Sequence, residues 1–124
     1  MSRAAVHRLM VVDDSNVIRR RIERARDLPG IEFVGAARNG REALEMHQQL
    51  RPTMVTMDLT MPEMDGSECI VRLVERDPEI LILVISALAD KVTAIDALEK
   101  GARGFLYKPF TDRQLNNALR RLIE

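Results

Sequence analysis

Along the chain, short runs of apolar residues alternate with longer stretches in which apolar residues recur every three or four positions. The runs are RLMVV (8–12), EFVGAA (32–37), TMVTM (53–57), ILILVI (80–85) and GFLY (104–107). Several are apolar throughout rather than at every second position, the pattern of strands covered on both faces of a parallel sheet. The stretches between them carry helical stripes. Val17, Ile18, Ile22 and Ala25 make the first, and Ala43, Leu44 and Leu50 the second, with His47 on its edge. Ile70, Leu73 and Val74 make the third, and Val92, Ile95 and Leu98 the fourth. Leu115, Ala118, Leu119 and Leu122 make the last, with Thr111 placed to cap its N-terminus. Turn signals separate the elements: Pro29-Gly30, Asn39-Gly40, Pro52, Asp65-Gly66, Pro78, Gly101 and Pro109.

Strict alternation of strands and helices predicts an open, doubly wound α/β sheet. A closed eightfold barrel needs about twice this length. The chain of 124 residues reads as one domain with one core, without internal repeat, low-complexity tract or linker. The last helical stripe runs to the end of the sequence, so no output domain is expected.

Charge and cysteine content narrow the function classes. The formal net charge is zero, which gives no global attraction to nucleic acid or membrane. Basic residues gather locally in RRRIERAR (19–26), which fits a solvated helix face or a docking surface. Cys69 is the only cysteine, so an intramolecular disulfide is excluded, and its apolar neighbours place it in the core. The opening MSRAAVHRL lacks the apolar run of a secretory signal, and no stretch has the length of a transmembrane helix. The expected location is the cytoplasm.

The chemistry lies at the strand ends. In an open parallel sheet, ligands bind beyond the carboxyl ends of the strands, near the point where strand order reverses. The first run ends in Asp13-Asp14, the third in Asp58, the fourth in Ser86-Ala87 and the fifth in Lys108-Pro109. Singly, each has a plain alternative. Asp13-Asp14-Ser15 fits a helix N-cap cluster, Ser86 fits the N-cap of the fourth helix, and Lys108 fits a surface turn. Asp58 has no such local explanation. Together they put three acids, a hydroxyl and an amine on one edge of the sheet. Crowded carboxylates repel and raise one another's pKa unless a cation intervenes. An all-oxygen ligand set points to a hard ion, and Mg²⁺ is the natural candidate. A carboxylate beside such an ion can act as a nucleophile toward phosphorus, with Lys108 as a second positive centre. His7 and His47 read as surface or edge residues, and Met61 and Met64 as packing under the loop.

These motifs, VVDDS, MDLTMPEMDG, ISA and YKPF, span the chain in order and resemble the receiver domain of two-component response regulators, of the stand-alone, CheY-like type. The resemblance implies a flavodoxin-like, five-stranded parallel sheet in the order 2-1-3-4-5 with five helices. It implies that Asp58 accepts a phosphoryl group from a phosphohistidine on a histidine kinase. Mg²⁺ would be bound directly by Asp14, Asp58 and the backbone carbonyl of Thr60, and by Asp13 largely through water. Ser86 would be the switch hydroxyl, Phe105 the switch aromatic, and Lys108 the partner of Asp58 or of the phosphoryl group, with a cis bond to Pro109. The readout face would be the fourth helix, fifth strand and fifth helix, with control of a target protein in chemotaxis or motility. Thr60 and Leu88 occupy positions that tune phosphoryl lifetime in the family. Leu88 brings no polar group to orient water, so slow self-dephosphorylation and reliance on a phosphatase are expected.

Two further readings of the same resemblance are a phosphorelay intermediate that passes phosphate to a histidine phosphotransfer protein and a phosphorylation-independent scaffold. The scaffold normally shows a broken acidic cluster or a lost lysine, and both are intact here. An aspartyl-phosphate hydrolase of the haloacid dehalogenase type would carry its nucleophile on the first strand, in an acid-x-acid pattern that is absent. A dinucleotide-binding enzyme would need a G-x-G-x-x-G after the first strand, also absent.

Overall fold

The computed structural model describes residues 7–88 and 90–124. Most of the N-terminal stretch read above for a signal lies outside them. The elements are β1 (His7–Val12), α1 (Asn16–Ala25), β2 (Ile31–Ala37), α2 (Gly40–Leu50), β3 (Met54–Met57), α3 (Gly66–Arg76), β4 (Leu81–Ser86), α4 (Lys91–Glu99), β5 (Gly104–Tyr107) and α5 (Asp112–Ile123). Each strand begins and ends within one residue of the apolar run that predicts it. Among the described residues the strands form one parallel sheet in the order β2-β1-β3-β4-β5, as the resemblance implies.

The continuous apolar runs are explained by two separate cores, one on each face of the sheet. Met10, Val12, Val55, Met57, Ile82 and Val84 point to the face covered by α2, α3 and α4. Their neighbours Leu9, Val11, Met54, Leu83 and Ile85 point to the face covered by α1 and α5. Period-two alternation is therefore present, but both faces are apolar. Cys69 lies in the first core, and Met61 and Met64 pack against its edge.

The helices start where the sequence offers a cap. Ser15, Asn39, Asp65, Asp90 and Thr111 each accept a backbone N–H from the first turn of the helix that follows. Thr111 and Gln114 complete a reciprocal capping box. The cap of α4 is thus Asp90, which corrects the reading of Ser86 as that cap; Ser86 is the last residue of β4.

Two stripes behave differently from expectation. Val17 of α1 faces solvent, while Ile22 fills the core. In α4 the departure is complete: Val92 is 76% exposed, Ile95 53% and Leu98 46%, and among its described residues only Ala97 is buried. The spacing forms a helix, but its apolar side faces away from the sheet. Small residues face inward, so α4 sits on the body through Ala97 and a polar group of side chains. Lys100 Nζ donates to Ser67 Oγ at 2.6 Å and to Asp96 Oδ2 at 2.8 Å.

Candidate functional site

Strand order reverses at β1 and β3, which are adjacent, and the chain leaves their carboxyl ends through Asp13 and Asp58. The ladder continues one residue past β3, because the Asp58 N–H donates to the Val12 carbonyl at 2.9 Å. The Asp58 side chain is thereby delivered to the sheet edge with only 5% of the residue exposed. Behind it the chain doubles back: the Gly66 N–H donates to the Leu59 carbonyl at 3.0 Å. A Cβ on Gly66 would collide with the Asp58 carbonyl oxygen, so only glycine permits α3 to start this close to the site.

Asp13 is 1% exposed, and its polar groups are all engaged. Its N–H donates to the Ala37 carbonyl at 3.1 Å. Its Oδ1 accepts from the Ser15 N–H and its Oδ2 from Lys108 Nζ, each at 2.8 Å. Its carbonyl accepts from the Arg19 guanidinium at 2.7 Å. Asp14, by contrast, is exposed. Lys108 Nζ lies 3.5 Å from Asp58 Oδ1, farther than from Asp13. The main partner of Lys108 in this state is therefore Asp13. The Lys108–Pro109 bond is cis.

One carboxylate oxygen from each of Asp13, Asp14 and Asp58 lies within 4.8 Å of the others. Burial pushes the Asp58 carboxyl up from 3.8 to about 6; the Asp13 charge adds to this, Lys108 opposes it, and Asp14 adds further. Burial lowers Lys108, but its hydrogen bond to Asp13 and the charges of Asp13 and Asp58 outweigh that, and its pKa is raised overall. Three acids facing one lysine form a site short of positive charge. The oxygen-only donor set and the frustrated ionisation of Asp58 fit a small hard divalent cation. Each Asp13 oxygen already accepts a protein donor, whereas Asp14 is exposed, so Asp14 and Asp58 are the carboxylates that could ligate such an ion directly. Thr60 follows on the exposed loop beyond Leu59.

Ser86 is buried at the end of β4, and its Oγ accepts the Leu88 N–H at 3.0 Å, pointing along its own loop. Its carbonyl accepts the Lys108 N–H at 2.9 Å, tying the β4 and β5 ends together. Phe105 is half-buried against the α2–α3–α4 core and meets Tyr107 edge to face, with ring centroids 5.0 Å apart. The structure thus brings Asp13, Asp14, Asp58 and Lys108 together, with Ser86 on the neighbouring strand end.

Sequence reading places Arg19 on a basic helix face and Gly66 in a turn, and does not reveal the contact of either with the site. Arg19 lies one turn into α1, where a long cation can reach back to the β1 end. Gly66 was taken only as part of a turn signal, and its contact with Asp58 depends on tertiary packing. His47 is half-buried, and its Nδ1 has no hydrogen-bond partner among the described residues. Burial lowers its pKa, helped by Arg76.

Comparison with known proteins gives a consistent result. A family model described as "Response regulator receiver domain" matches residues 9–120. The chemotaxis protein CheY of Thermotoga maritima is 38% identical over 115 residues, covering 93% of this chain and 96% of that protein. A protein-glutamate methylesterase/protein-glutamine glutaminase of Alkalilimnicola ehrlichii is 45% identical over 107 residues, which is 85% of this chain but 27% of that protein. Among solved structures, the CheY chain of a CheX-CheY-BeF3-Mg²⁺ complex from Borrelia burgdorferi superposes with a TM-score of 0.90 at 28% identity, covering 95% of this chain and 90% of that one.

Proposed function

The chain belongs to the response regulator receiver domain family, and from that premise we propose that it is a single-domain response regulator. It accepts a phosphoryl group on Asp58 and switches conformation to control a partner protein in chemotaxis signalling. The observation that carries this reading is the setting of Asp58: a buried carboxylate at a strand end, beside Lys108 and two further acids. An oxygen of Asp58 attacks the phosphorus of a phosphohistidine on a histidine kinase. The P–N bond breaks, and the imidazole leaves with the bonding pair and takes up a proton. Asp14, Asp58 and the Thr60 carbonyl, with Asp13 through water, would hold Mg²⁺, which when bound supplies positive charge against the phosphoryl oxygens.

Lys108 then exchanges its bond with Asp13 for one with the phosphoryl group. Ser86 turns its hydroxyl from Leu88 to a phosphoryl oxygen, and Phe105 moves into the space this leaves. The altered face of α4, β5 and α5 is read by the target. Leu88, with an apolar and exposed side chain, orients no water, so the phosphoryl group is long-lived and a separate phosphatase ends the signal. Capture of the Borrelia CheY with CheX, beryllofluoride and Mg²⁺ supports a protein partner for a chain of this fold. Arg20 and Arg24 stand exposed on α1, which starts beside the acidic cluster, and serve as the kinase-docking surface.

Incubation with acetyl phosphate and Mg²⁺ should add one phosphoryl mass to the intact chain, and Asp58→Asn should remove that gain. A gain that survives the substitution refutes Asp58 as acceptor, and a half-life of seconds refutes the long-lived phosphate. Reversal of Arg20 and Arg24 to Glu, with Arg19 left on the Asp13 carbonyl, should slow transfer from the kinase while sparing acetyl phosphate, and equal slowing of both refutes docking.

A further inference from the structure

Between α3 and α4 lies a cleft of about 300 Å³. Leu59 and Ala97 line its interior, the exposed Leu88 and Val92 form its outer wall, and Asp65 and Asp96 bring negative charge to it. It shares α4 with the readout face proposed above but opens on the α3 side of that helix, since no β5 or α5 residue lines it. Its apolar wall continues over the outer side of α4 through Ile95, which is too extended a surface for a small ligand alone.

Charge selects the occupant. No cationic residue among the described ones lines the cleft. Lys100 reaches its edge through Ser67 and is paired with Asp96, so Asp65 is the lining charge without a cationic partner among the described residues. An anion is unwelcome even though two helices begin here. The Asp65 side chain already accepts the Glu68 N–H, and Asp90 accepts the Thr93 N–H, so carboxylates hold the positions an anion would take. The contrast lies across the sheet, where the groove between α1 and α5 is lined by Arg20, Arg21 and Arg24. One molecule therefore offers a basic groove on one face and an acidic, apolar-walled cleft on the other.

We propose that the α3–α4 cleft is a docking site for an amphipathic helix of a partner protein. The helix inserts an apolar side chain between Leu59 and Val92 and sets lysine or arginine against Asp65. The site is built to sense the state of the sheet edge. Leu59 directly follows Asp58, and the Leu88 N–H is held by Ser86 Oγ. If Ser86 turns away, the wall formed by Leu88 is released, so binding in the cleft and occupation of the Asp58 site are coupled. Only this coupling rests on the receiver reading; the cleft and its charge do not.

The probe is a synthetic helical peptide with a leucine stripe flanked by lysines, compared with the same peptide carrying glutamates in place of the lysines. Each is titrated into the full chain and followed by amide chemical shifts. The lysine peptide is expected to bind at least fivefold more tightly and to shift Leu59, Ser67, Val92 and Ala97. Val92→Ser, at an exposed position, should weaken it at least fivefold. Asp65→Asn, which keeps the helix cap, should weaken the lysine peptide about threefold and should not weaken the glutamate peptide, whose repulsion it relieves. Shifts confined to Phe105, Tyr107 and Ala118, equal affinity for both peptides, or no binding overturns the proposal. Self-association of the free chain through the same residues also overturns it, because it assigns the cleft to a second copy. Beryllofluoride with Mg²⁺ should change the affinity at least threefold. Failure to load beryllofluoride counts against the phosphoacceptor reading alone; loading without a change in affinity removes the coupling.

Discussion

The β3–α3 and β4–α4 units are built on one plan and reach opposite results. Each is a buried strand ending in a buried polar residue, Asp58 or Ser86, followed by a loop and a capped helix. In the first unit the helix is clamped to the site. Gly66 touches the Asp58 carbonyl, and Cys69, Ile70 and Leu73 are buried under α3. In the second, Val92, Ile95 and Leu98 face outward, and α4 is held by Ala97 and the Ser67–Asp96–Lys100 group. The first arrangement fixes the Asp58 carboxylate. The second leaves a helix with little apolar anchoring, which a partner or a change at Ser86 can displace at small cost.

The largest expected effect comes from breaking the clamp. Gly66→Ala forces a methyl group against the Asp58 carbonyl and should cost about 3 kcal/mol or more in urea unfolding. Leu73→Ala, which opens a cavity under α3, should cost about 3 kcal/mol by the same measurement.

Next is the strand end itself. Asp58 has its pKa raised to about 6 from 3.8, so its protonated form is favoured by folding. That contribution is complete below about pH 4 and is lost as pH rises through about 6. Asp58→Asn should therefore raise stability at pH 7.5 by about 1–2 kcal/mol, less than the full shift would give, and the gain should vanish near pH 4. Mg²⁺ should raise the Tm of the parent chain more at pH 7.5 than at pH 5, and should do so little in the Asn variant.

Loosening α4 should matter less. Ser67→Ala removes the shortest bond of Lys100 and should cost about 1 kcal/mol. It should speed hydrogen exchange in α4 while leaving α3 protected; equal acceleration in both helices would erase the contrast between the units. The smallest effect is expected at Ile95→Ala, within about 0.5 kcal/mol of the parent, because the side chain is already in solvent.

Much of this was legible in the chain. Both faces of the sheet are apolar, so the strands stand out as uninterrupted runs such as ILILVI. The residues at the sheet edge lie at the ends of those runs, where topology alone gathers Asp13, Asp58 and Lys108. Periodicity was less informative for α4. A stripe of Val92, Ile95 and Leu98 announces a helix with an apolar side, but spacing does not say whether that side meets a sheet, solvent or another protein. The preference of Lys108 for Asp13 was also hidden, because it depends on differences of under an ångström between two acids. Nor does a turn signal such as Asp65-Gly66 reveal that its glycine makes room for a carbonyl.

The bond between Ser86 and Leu88 has a consequence in hydrogen-bond valence. A serine hydroxyl has one proton to give and two lone pairs to receive with. Here a lone pair is in use, since the Leu88 N–H is the donor. A phosphoryl oxygen has only lone pairs and would call on the unused proton. The two demands do not compete for the same electrons; only the direction of one rotor separates them. Ser86→Ala removes the hydroxyl altogether, whereas Ser86→Thr keeps it and restricts the rotor, which separates the proposed bond to a phosphoryl oxygen from the freedom of the side chain to turn.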